Sequence, residues 1–463
     1  MADMAWPVRK LGRTRGAKLS THAGRSAWIG AAKLARTIIA LAHAARMCGC
    51  EPEFFEPHLD PNVHRHLLER RPLFGSFFMA GFECSDHLLE GGRRLDLLGS
   101  TRHEHFAAQD YARLRTLGMA ACRDGVSWPR SEPQPNVFDW SGWAARLHAA
   151  HTTGGLSQVV WDLMHFGYPS HVDVFAVDFP DRFARFAGAA ARFLRDQEHC
   201  PRAPWFSVIN EMSFFSWAGG DVACMHPFAL ARGDELKVQL VLATIAAIEI
   251  IREVLPNARF LHAEPVIRIV AAPDQPRTFR KVECDNRLQY EALDMLAGRR
   301  WPRLGGHPRY LDVVGVNYYP DNQFMLDGTT IFRDDARYTP LSELLAETYA
   351  HYGRPMIISE TGCEGDGRAA WLRYVSEQSM IALERDCELH GITCYPVLNH
   401  PGWVDDRHCM NGIWDYADER GERAVHEPLA LEVLRQEPIL SAARDRMLAR
   451  QLSAPNQAEQ SYV

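Results

Sequence analysis

The stretch Trp205-Phe-Ser-Val-Ile-Asn210-Glu211 is a short apolar run that ends abruptly in an amide and a carboxylate. A second stretch, Met356-Ile-Ile-Ser-Glu360-Thr-Gly362, has the same form. Short, nearly continuous apolar runs are typical of strands that are buried on both faces of a parallel sheet. The side chains that carry chemistry in such sheets stand where a strand ends and a loop begins. The two stretches therefore predict two parallel strands, each presenting one glutamate at the same edge of the sheet.

Short apolar runs alternate with helical periods along the chain on both sides of these two stretches. The predicted strands are Phe74–Phe82, Met119–Val126, Leu156–Met164, Trp205–Ile209, Phe260–Ala263, Val313–Val316, Met356–Ser359 and Ile392–Pro396. The predicted helices are Phe106–Leu117, Trp140–Ala150, Asp181–Arg195, Glu235–Leu255, Arg287–Leu296, Leu341–His351, Arg368–His390 and Leu429–Arg435. This alternation predicts an α/β fold, a (β/α)8 TIM barrel over residues 71–440, rather than an open doubly wound sheet. No G-x-G-x-x-G or P-loop follows a predicted strand, so no nucleotide cofactor is expected.

Composition limits the class of protein. The chain has 463 residues, of which 46% are hydrophobic and 24% charged, as in soluble globular proteins. The net charge of −7 makes nucleic acid an unexpected partner. The apolar stretches are too short or too charged to cross a membrane, so no membrane partner is expected. The 11 cysteines include no C-x-x-C pair, which favours free thiols and a cytoplasmic protein. The oligomeric state stays open.

The two ends of the chain differ from the predicted barrel. The first 50 residues hold nine lysines and arginines but a single acidic residue, Asp3. We interpret residues 1–70 as a basic, weakly ordered extension, although an acid-poor, Arg/Ala-rich start also resembles an organelle transit peptide. Residues 441–463 are polar, without a motif, and are predicted to form a C-terminal tail.

Nine polar side chains stand at or near the ends of the predicted strands: Arg123, His165, Asn210, Glu211, His262, Glu264, Asn317, Tyr319 and Glu360. Two carboxylates that face each other across a barrel suit glycoside hydrolysis. One of them must stay protonated to release the leaving alcohol, and the other must stay ionised to attack the sugar. The alternative is that strand-end carboxylates only form salt bridges or cap the next helix.

Five motifs, in the same order along the chain, resemble those of family 1 glycoside hydrolases, the β-glucosidase and β-galactosidase group of the retaining (β/α)8 glycosidases. The Ser-Glu360-Thr-Gly segment resembles the family's seventh-strand motif, and Trp205 to Met212 resembles W-x-T-x-N-E-P. The other three are Arg123-Asp-Gly-Val-Ser-Trp-Pro-Arg130 for R-F-S-I-S-W-x-R, Val316-Asn317-Tyr318-Tyr319 for I-N-Y-Y, and Met164-His165-Phe-Gly-Tyr-Pro169 for H-x-D-x-P.

The resemblance implies a role for each matching residue of a β-O-glycosidase that acts on a carbohydrate. Glu360 would be the nucleophile and Glu211 the acid/base. Arg123 and Tyr319 would hold the nucleophile, and Asn210 would bind the sugar 2-hydroxyl. His165 and Asn317 would contact substrate, and Trp403 would form the floor of the sugar site. Glu83 stands near the position of a first-strand glutamine that is missing here.

The segment Tyr395-Pro-Val-Leu-Asn-His-Pro-Gly402-Trp403 departs from the family pattern W-S-L-x-D-N-F-E-W. An acidic residue that binds two outer sugar hydroxyls would fall on Gly402. The resemblance therefore implies that this contact is lost, and we expect room beside Gly402 for a substituted or larger sugar.

Two other functions stay open. A metal site could be formed by Asp162, His165, His262 and Glu264, which lie at or near strand ends, but no H-x-H or H-E-x-x-H pair accompanies them, and no metal is expected. Alternatively, the barrel could be a degenerate glycosidase that binds a glycan or a protein partner without catalysis.

Overall fold

The computed structural model describes residues 71–153, 156–271 and 278–453. The predicted N-terminal extension, residues 1–70, lies outside the described residues, as does the end of the chain from residue 454. In the described part of the chain, no helix has the length and apolar character needed to cross a membrane.

The described residues form fourteen strands, eight of which make up the barrel. In chain order they are β1 Phe78–Gly81, β2 Ala121–Gly125, β3 Gln158–Met164, β4 Trp205–Ile209, β5 Arg259–Pro265, β6 Arg268–Val270, β7 Val313–Asn317, β8 Gln323–Met325, β9 Met356–Thr361, β10 Leu389–Cys394, β11 His400–Pro401, β12 His408–Cys409, β13 Trp414–Ala417 and β14 Arg423–Val425. Strands β1, β2, β3, β4, β5, β7, β9 and β10 pair in parallel and close on themselves in that order. The predicted (β/α)8 barrel is confirmed.

Helices connect and surround the strands. They are α1 Leu97–Ser100, α2 His103–Thr116, α3 Trp128–Ser131, α4 Ser141–Thr152, α5 Phe179–Arg195, α6 Met212–Phe215, α7 Gly233–Val254, α8 Phe279–Leu288, α9 Glu291–Leu296, α10 Leu341–Tyr352, α11 Arg368–Glu384 and α12 Glu427–Ser453. Each long helix buries one apolar face. In α5, for example, Phe179, Phe183, Phe186 and Ala190 recur at helical spacing and are all buried.

Some predicted boundaries are wrong. The predicted helix Arg368–His390 ends at Glu384, because Asp386 adopts a left-handed backbone (φ 60°) and the chain then enters β10. The predicted helix Arg287–Leu296 begins at Glu291, and a separate helix, α8, precedes it. The final helix runs to Ser453 and buries Leu440 and Met447, so the predicted tail boundary at residue 440 falls inside a packed helix.

The interior of the barrel has an apolar end and a polar end. One end is closed by the apolar plug, a cluster of buried side chains from Phe74, which precedes β1, and from seven barrel strands: Met79, Ala121, Val160, Trp205, Leu261, Val313 and Ile357. Because side chains alternate between the two faces of a strand, residues two positions further along point into the barrel again. Those positions include Arg123, Asp162, Ser207 and Ser359, all buried. The plug therefore supports a polar layer at the carboxyl ends of the strands.

Candidate active site

Arg123 is the centre of the polar layer. It is fully buried, and its guanidinium reaches three other strands. Nη1 donates to Glu360 Oε1 at 3.0 Å, while Nη2 donates to Asp162 Oδ2 at 2.7 Å and to Asn210 Oδ1 at 3.1 Å. A planar guanidinium with several donors suits this task, because one group can orient several acceptors at once. Arg123 thus fixes Glu360 and the orientation of the Asn210 amide together.

Glu360 lies near the end of β9 and is 4% exposed. Its second oxygen, Oε2, accepts a hydrogen bond of 2.9 Å from the Tyr319 hydroxyl, on the loop that follows β7. Both carboxylate oxygens of Glu360 therefore face strong donors, one from Arg123 and one from Tyr319. Donors of this kind stabilise the ionised form of a carboxyl group.

Glu211 follows β4 directly and has an unusual backbone. Its φ of 48° is in the left-handed region, which is uncommon for residues other than glycine and is found preferentially at functional sites. A hydrogen bond of 2.9 Å from its backbone N–H to Ala263 O holds this conformation against β5. Asn317 Nδ2 donates to Glu211 Oε1 at 2.8 Å. Within the described residues Oε2 accepts no hydrogen bond, and the residue is only half-buried.

The two glutamates have different electrostatic surroundings. Burial, followed by the charge of Glu360, raises the pKa of Glu211 to about 8. Burial raises the pKa of Glu360 as well, but Arg123 and the Tyr319 hydroxyl oppose that rise. Among the described residues, a cation donates to Glu360 and none donates to Glu211, so Glu360 is the member of the pair that ionises first. The surroundings therefore favour the ionised form of Glu360 more than that of Glu211, which is the pattern expected of a nucleophile and an acid.

His165 connects Asn210 to Asp162. Because Asn210 Oδ1 accepts from Arg123, its Nδ2 faces His165 Nε2 at 3.0 Å and donates to it. His165 Nδ1 is then the N–H that faces Asp162 Oδ2 at 3.3 Å, with Cys84 Sγ also at 3.3 Å. This chain of hydrogen bonds holds the Asn210 amide in one orientation.

The same geometry bears on the metal hypothesis. Cys84, Asp162 and His165 bring three ligand atoms within 4.8 Å of one another. However, the nitrogen that would bind the metal, His165 Nδ1, carries the proton in this arrangement, and Asp162 Oδ2 is already bonded to Arg123. His262 bonds instead to the Tyr310 carbonyl at 2.8 Å, and Glu264 accepts from the Ser213 backbone N–H at 3.0 Å. The four residues of the metal hypothesis therefore do not converge on one point.

The other predicted residues lie on the strand-one and strand-eight side of the site. Glu83 is buried, with Oε1 3.8 Å from His165 Nε2. The ring of Trp403 packs edge-on against Phe166 and His87, at centroid distances of 5.6 and 5.3 Å. Phe166 in turn packs against His165 at 4.9 Å. Phe166 therefore lies between Trp403 and His165, the residue that bonds to Asn210.

The space directly beside Gly402 is partly filled by side chains of its own loop. A side chain at Gly402 would meet the Asp405 carboxylate and would also approach Arg407. The backbone N–H of Gly402 donates to Arg407 O at 2.7 Å, which closes the β11–β12 hairpin over this position. Asp405 therefore lies where a side chain at residue 402 would begin, but it is exposed, and room for a larger sugar stays a prediction.

Asp162 is the main site residue whose role the sequence analysis missed. We considered it only as a metal ligand, whereas the structure makes it the second anionic partner of Arg123. The available signal is a single charge within the apolar run Val159-Val-Trp-Asp162-Leu-Met164. A buried charge inside a barrel needs a partner, and Arg123 lies on the neighbouring strand.

We expect a bell-shaped dependence of kcat/KM on pH. If Glu211 acts as an acid, it is active when protonated, so its raised pKa places the loss of activity at rising pH, near 8. If Glu360 acts as a nucleophile, it is active when ionised, so activity falls as the pH drops and Glu360 gains a proton. The two limbs belong to the coupled pair rather than to either residue alone. Profiles of wild type and Glu211→Gln on an aryl glycoside test this; a basic limb that is unchanged in Glu211→Gln contradicts the assignment.

We expect Tyr319→Phe to lower kcat/KM by about tenfold and to move the acidic limb to higher pH. The variant loses the hydroxyl that donates to Glu360 Oε2, and loss of a donor to the ionised form raises the pKa of Glu360. Tyr318→Phe is the matched control, because the Tyr318 hydroxyl bonds to Tyr338 and Gln323 and not to Glu360. An acidic limb that moves equally in both variants would refute a specific role for Tyr319.

Comparison with known proteins gives a match in structure but none in sequence. No protein-family model matches the sequence, and no curated protein matches it significantly. A family 1 β-glucosidase from Thermotoga maritima superposes with a TM-score of 0.60 at 15% identity, over 74% of this chain and 87% of its own. The same organism's β-glucosidase in complex with methoxycarbonyl-substituted glucoimidazole gives 0.61 at 16%, over 74% and 87%. A hyperthermophilic β-glucosidase mutant gives 0.61 at 17%, over 77% of this chain and 98% of its own. The chain thus has the (β/α)8 barrel fold of the family 1 β-glucosidases.

Proposed function

We propose that this protein is a retaining glycoside hydrolase that cleaves β-O-glycosidic bonds through a covalent glycosyl-enzyme intermediate. Glu360 is the nucleophile and Glu211 is the acid/base. Arg123 and Tyr319 orient Glu360, while Asn210, Asn317 and His165 contact the sugar or position the groups that do. The β-glucosidase-like fold supports a carbohydrate as the substrate.

The reaction has two steps with balanced charges. In the first, a Glu360 oxygen bonds to the anomeric carbon as the bond to the aglycone oxygen breaks, and the proton of Glu211 passes to that oxygen. In the second, water attacks the same carbon, its proton passes to the Glu211 carboxylate, and the bond to Glu360 breaks. Two displacements at one carbon return the starting anomeric configuration.

One observation supports this proposal above all others: two glutamates at the carboxyl ends of β4 and β9 differ in their hydrogen-bond partners. Glu360 accepts hydrogen bonds from Arg123 and Tyr319, whereas Glu211, among the described residues, accepts only from the neutral amide of Asn317. Paired carboxyl groups whose surroundings separate their pKa values are the usual arrangement for an acid and a nucleophile. A pair with a merely structural role would have no need of this difference.

A panel of aryl β-glycosides tests the proposal. We expect release of the aryl alcohol, unchanged by a chelator, and loss of that release in Glu360→Ala. Release abolished by the chelator would instead support a metal-dependent enzyme. No release from any member of the panel, with retained binding of a glycan, would favour a degenerate glycan-binding barrel.

A further inference from the structure

Glu264 is a buried carboxylate behind the candidate active site, and the proposed catalytic steps do not use it. It is 4% exposed and lies near the carboxyl end of β5. Leu261 belongs to the apolar plug inside the barrel, so Ala263 points inward and Glu264 points outward, towards the helices. The side chain of Glu264 therefore lies on the helix side of β5 rather than among the residues that face the sugar.

Two consecutive residues of β5 hold the segment that carries Glu211. Ala263 O accepts from the Glu211 backbone N–H at 2.9 Å, and Glu264 Oε2 accepts from the Ser213 backbone N–H at 3.0 Å. Ser213 lies in the first turn of α6, the four-residue helix that begins directly after Glu211. The first N–H groups of a helix have no partner within it, and the Glu264 carboxyl group accepts from one of them. Between these two contacts Glu211 is held at a φ of 48°, which a residue with a side chain rarely adopts.

Lys237, on α7, is near Glu264 but is committed to another carboxylate. Its charge acts on Glu264, whereas its Nζ donates to Glu291 Oε2 at 2.6 Å. Burial raises the pKa of Glu264 to about 7, and the hydrogen bonds from the start of α6 and the Lys237 charge only partly oppose that rise. The charge of Glu264 also acts on Tyr352, on α10, and on Glu211. Burying a carboxyl group without a directly bonded cation is costly, which indicates a role beyond packing.

We propose that Glu264 is a positioning residue for Glu211: it holds the start of α6 against β5 and so keeps Glu211 in the backbone conformation in which its side chain bonds to Asn317. The inference rests on the proposed function, in which Glu211 is the acid/base. Once ionised, Glu264 also adds to burial and to Glu360 in raising the pKa of Glu211, so that Glu211 keeps its proton to higher pH. Besides Glu264, the titratable groups of the described residues that act on Glu211 or sense its charge are Glu360, Tyr319 and the neutral His165.

Two substitutions of Glu264 separate its contact from its charge. Glu264→Gln keeps an oxygen for the Ser213 N–H and removes the charge, so we expect a maximal kcat/KM within about threefold of wild type and a basic limb at lower pH. Glu264→Ala removes the acceptor as well and frees the segment that carries Glu211. For glycosides of poor leaving groups we therefore expect kcat/KM to fall about tenfold or more, while the first step with a dinitrophenyl glycoside, which needs almost no proton, stays close to the wild-type rate. Glu253→Gln, at an exposed position of α7, is the matched control and should behave as wild type.

The outcomes separate this inference from the proposed function. Equal losses for both kinds of substrate in Glu264→Ala overturn the positioning role, and a basic limb that stays in place in Glu264→Gln overturns the effect of the charge. Both results leave the glycosidase proposal intact. If Glu264→Ala does not fold, as judged by circular dichroism, the pH profile of Glu264→Gln decides.

If no aryl glycoside reacts with wild type, the proposed function fails, and Glu264 is then tested without activity. Carbon-13 NMR of protein labelled at the glutamate carboxyl carbons gives the pKa of Glu211, whose signal is identified by its absence in Glu211→Gln. A pKa of Glu211 that is lower in Glu264→Gln than in wild type and in Glu253→Gln supports the action of Glu264 on Glu211. An unchanged pKa refutes it.

Discussion

Replacing Glu360 by alanine is expected to lower kcat/KM for an aryl β-glycoside on the order of 10⁴-fold or more, the largest effect of any single change in the site. The variant has no group to form the covalent intermediate, and Arg123 loses one of its two carboxylate partners. Steady-state rates with an activated aryl glycoside measure the effect. Circular dichroism of the same samples shows whether the variant is folded. Glu377→Ala, an exposed carboxylate on α11, is the control and should keep the wild-type rate.

Azide should restore turnover in Glu360→Ala. The small anion fits the space that the carboxylate leaves and attacks the anomeric carbon from the same face. A single displacement inverts the configuration, so the product should be the α-glycosyl azide. Glu360→Ala with near-normal activity, or a rescued product of β configuration, would contradict the role of Glu360 as nucleophile.

Replacing Glu211 by alanine has the second-largest expected effect, and its size should depend on the leaving group. General acid catalysis contributes about 10²- to 10⁴-fold, and we expect a loss of that size for glycosides of poor leaving groups such as simple alcohols. A dinitrophenyl glycoside needs almost no proton, so its first step should stay close to the wild-type rate. In the second step Glu211 would take a proton from the attacking water. Because the variant lacks this base, the glycosyl-enzyme intermediate should accumulate.

The dependence on leaving group is the measurement that identifies the acid. Rates for a series of aryl glycosides should fall steeply with rising pKa of the aryl alcohol in Glu211→Ala and only gently in wild type. Asn317→Ala provides a comparison, since it removes the amide that donates to Glu211 Oε1 and leaves the carboxyl group in place. Equal slopes in wild type and Glu211→Ala would show that the acid is another residue.

The fold could be predicted from the sequence because the patterns that indicate each strand and helix are local. Each barrel strand is an apolar run of a few residues, and the β4 prediction, Trp205–Ile209, matches the structure at both ends. The wrong boundaries arise where a local signal is weak. The turn between α11 and β10 contains neither glycine nor proline, the usual signals for the end of a helix, and Asp386 adopts the left-handed conformation that glycine favours. The helical pattern of the sequence continues past Glu384, and the predicted helix therefore extended into the first residues of β10.

The candidate active site could be predicted from the sequence only in part. The strand-end positions of Glu211 and Glu360 follow from the sequence, because the apolar runs end at those residues. Which groups bond to one another depends on strand register and on loops. In the β2–β3 register Arg123 lies opposite Val160, so Asp162 lies two residues further along β3 and within reach of the guanidinium. No local sequence pattern predicts this register. Likewise, Asp405 and Arg407 lie beside Gly402 because of the β11–β12 hairpin, which no local pattern in the sequence predicts.

Covalent trapping tests the central claim most directly. A dinitrophenyl 2-deoxy-2-fluoro-β-glycoside of the preferred sugar forms the glycosyl-enzyme rapidly, while the fluorine slows its hydrolysis. Mass spectrometry of the intact protein should then show one added sugar, and digestion should place it on Glu360, in the peptide that carries Ser359-Glu360-Thr361. A sugar attached to any other residue, or an active enzyme that is never labelled and releases the inverted α-anomer first, would contradict the retaining mechanism with Glu360 as its nucleophile.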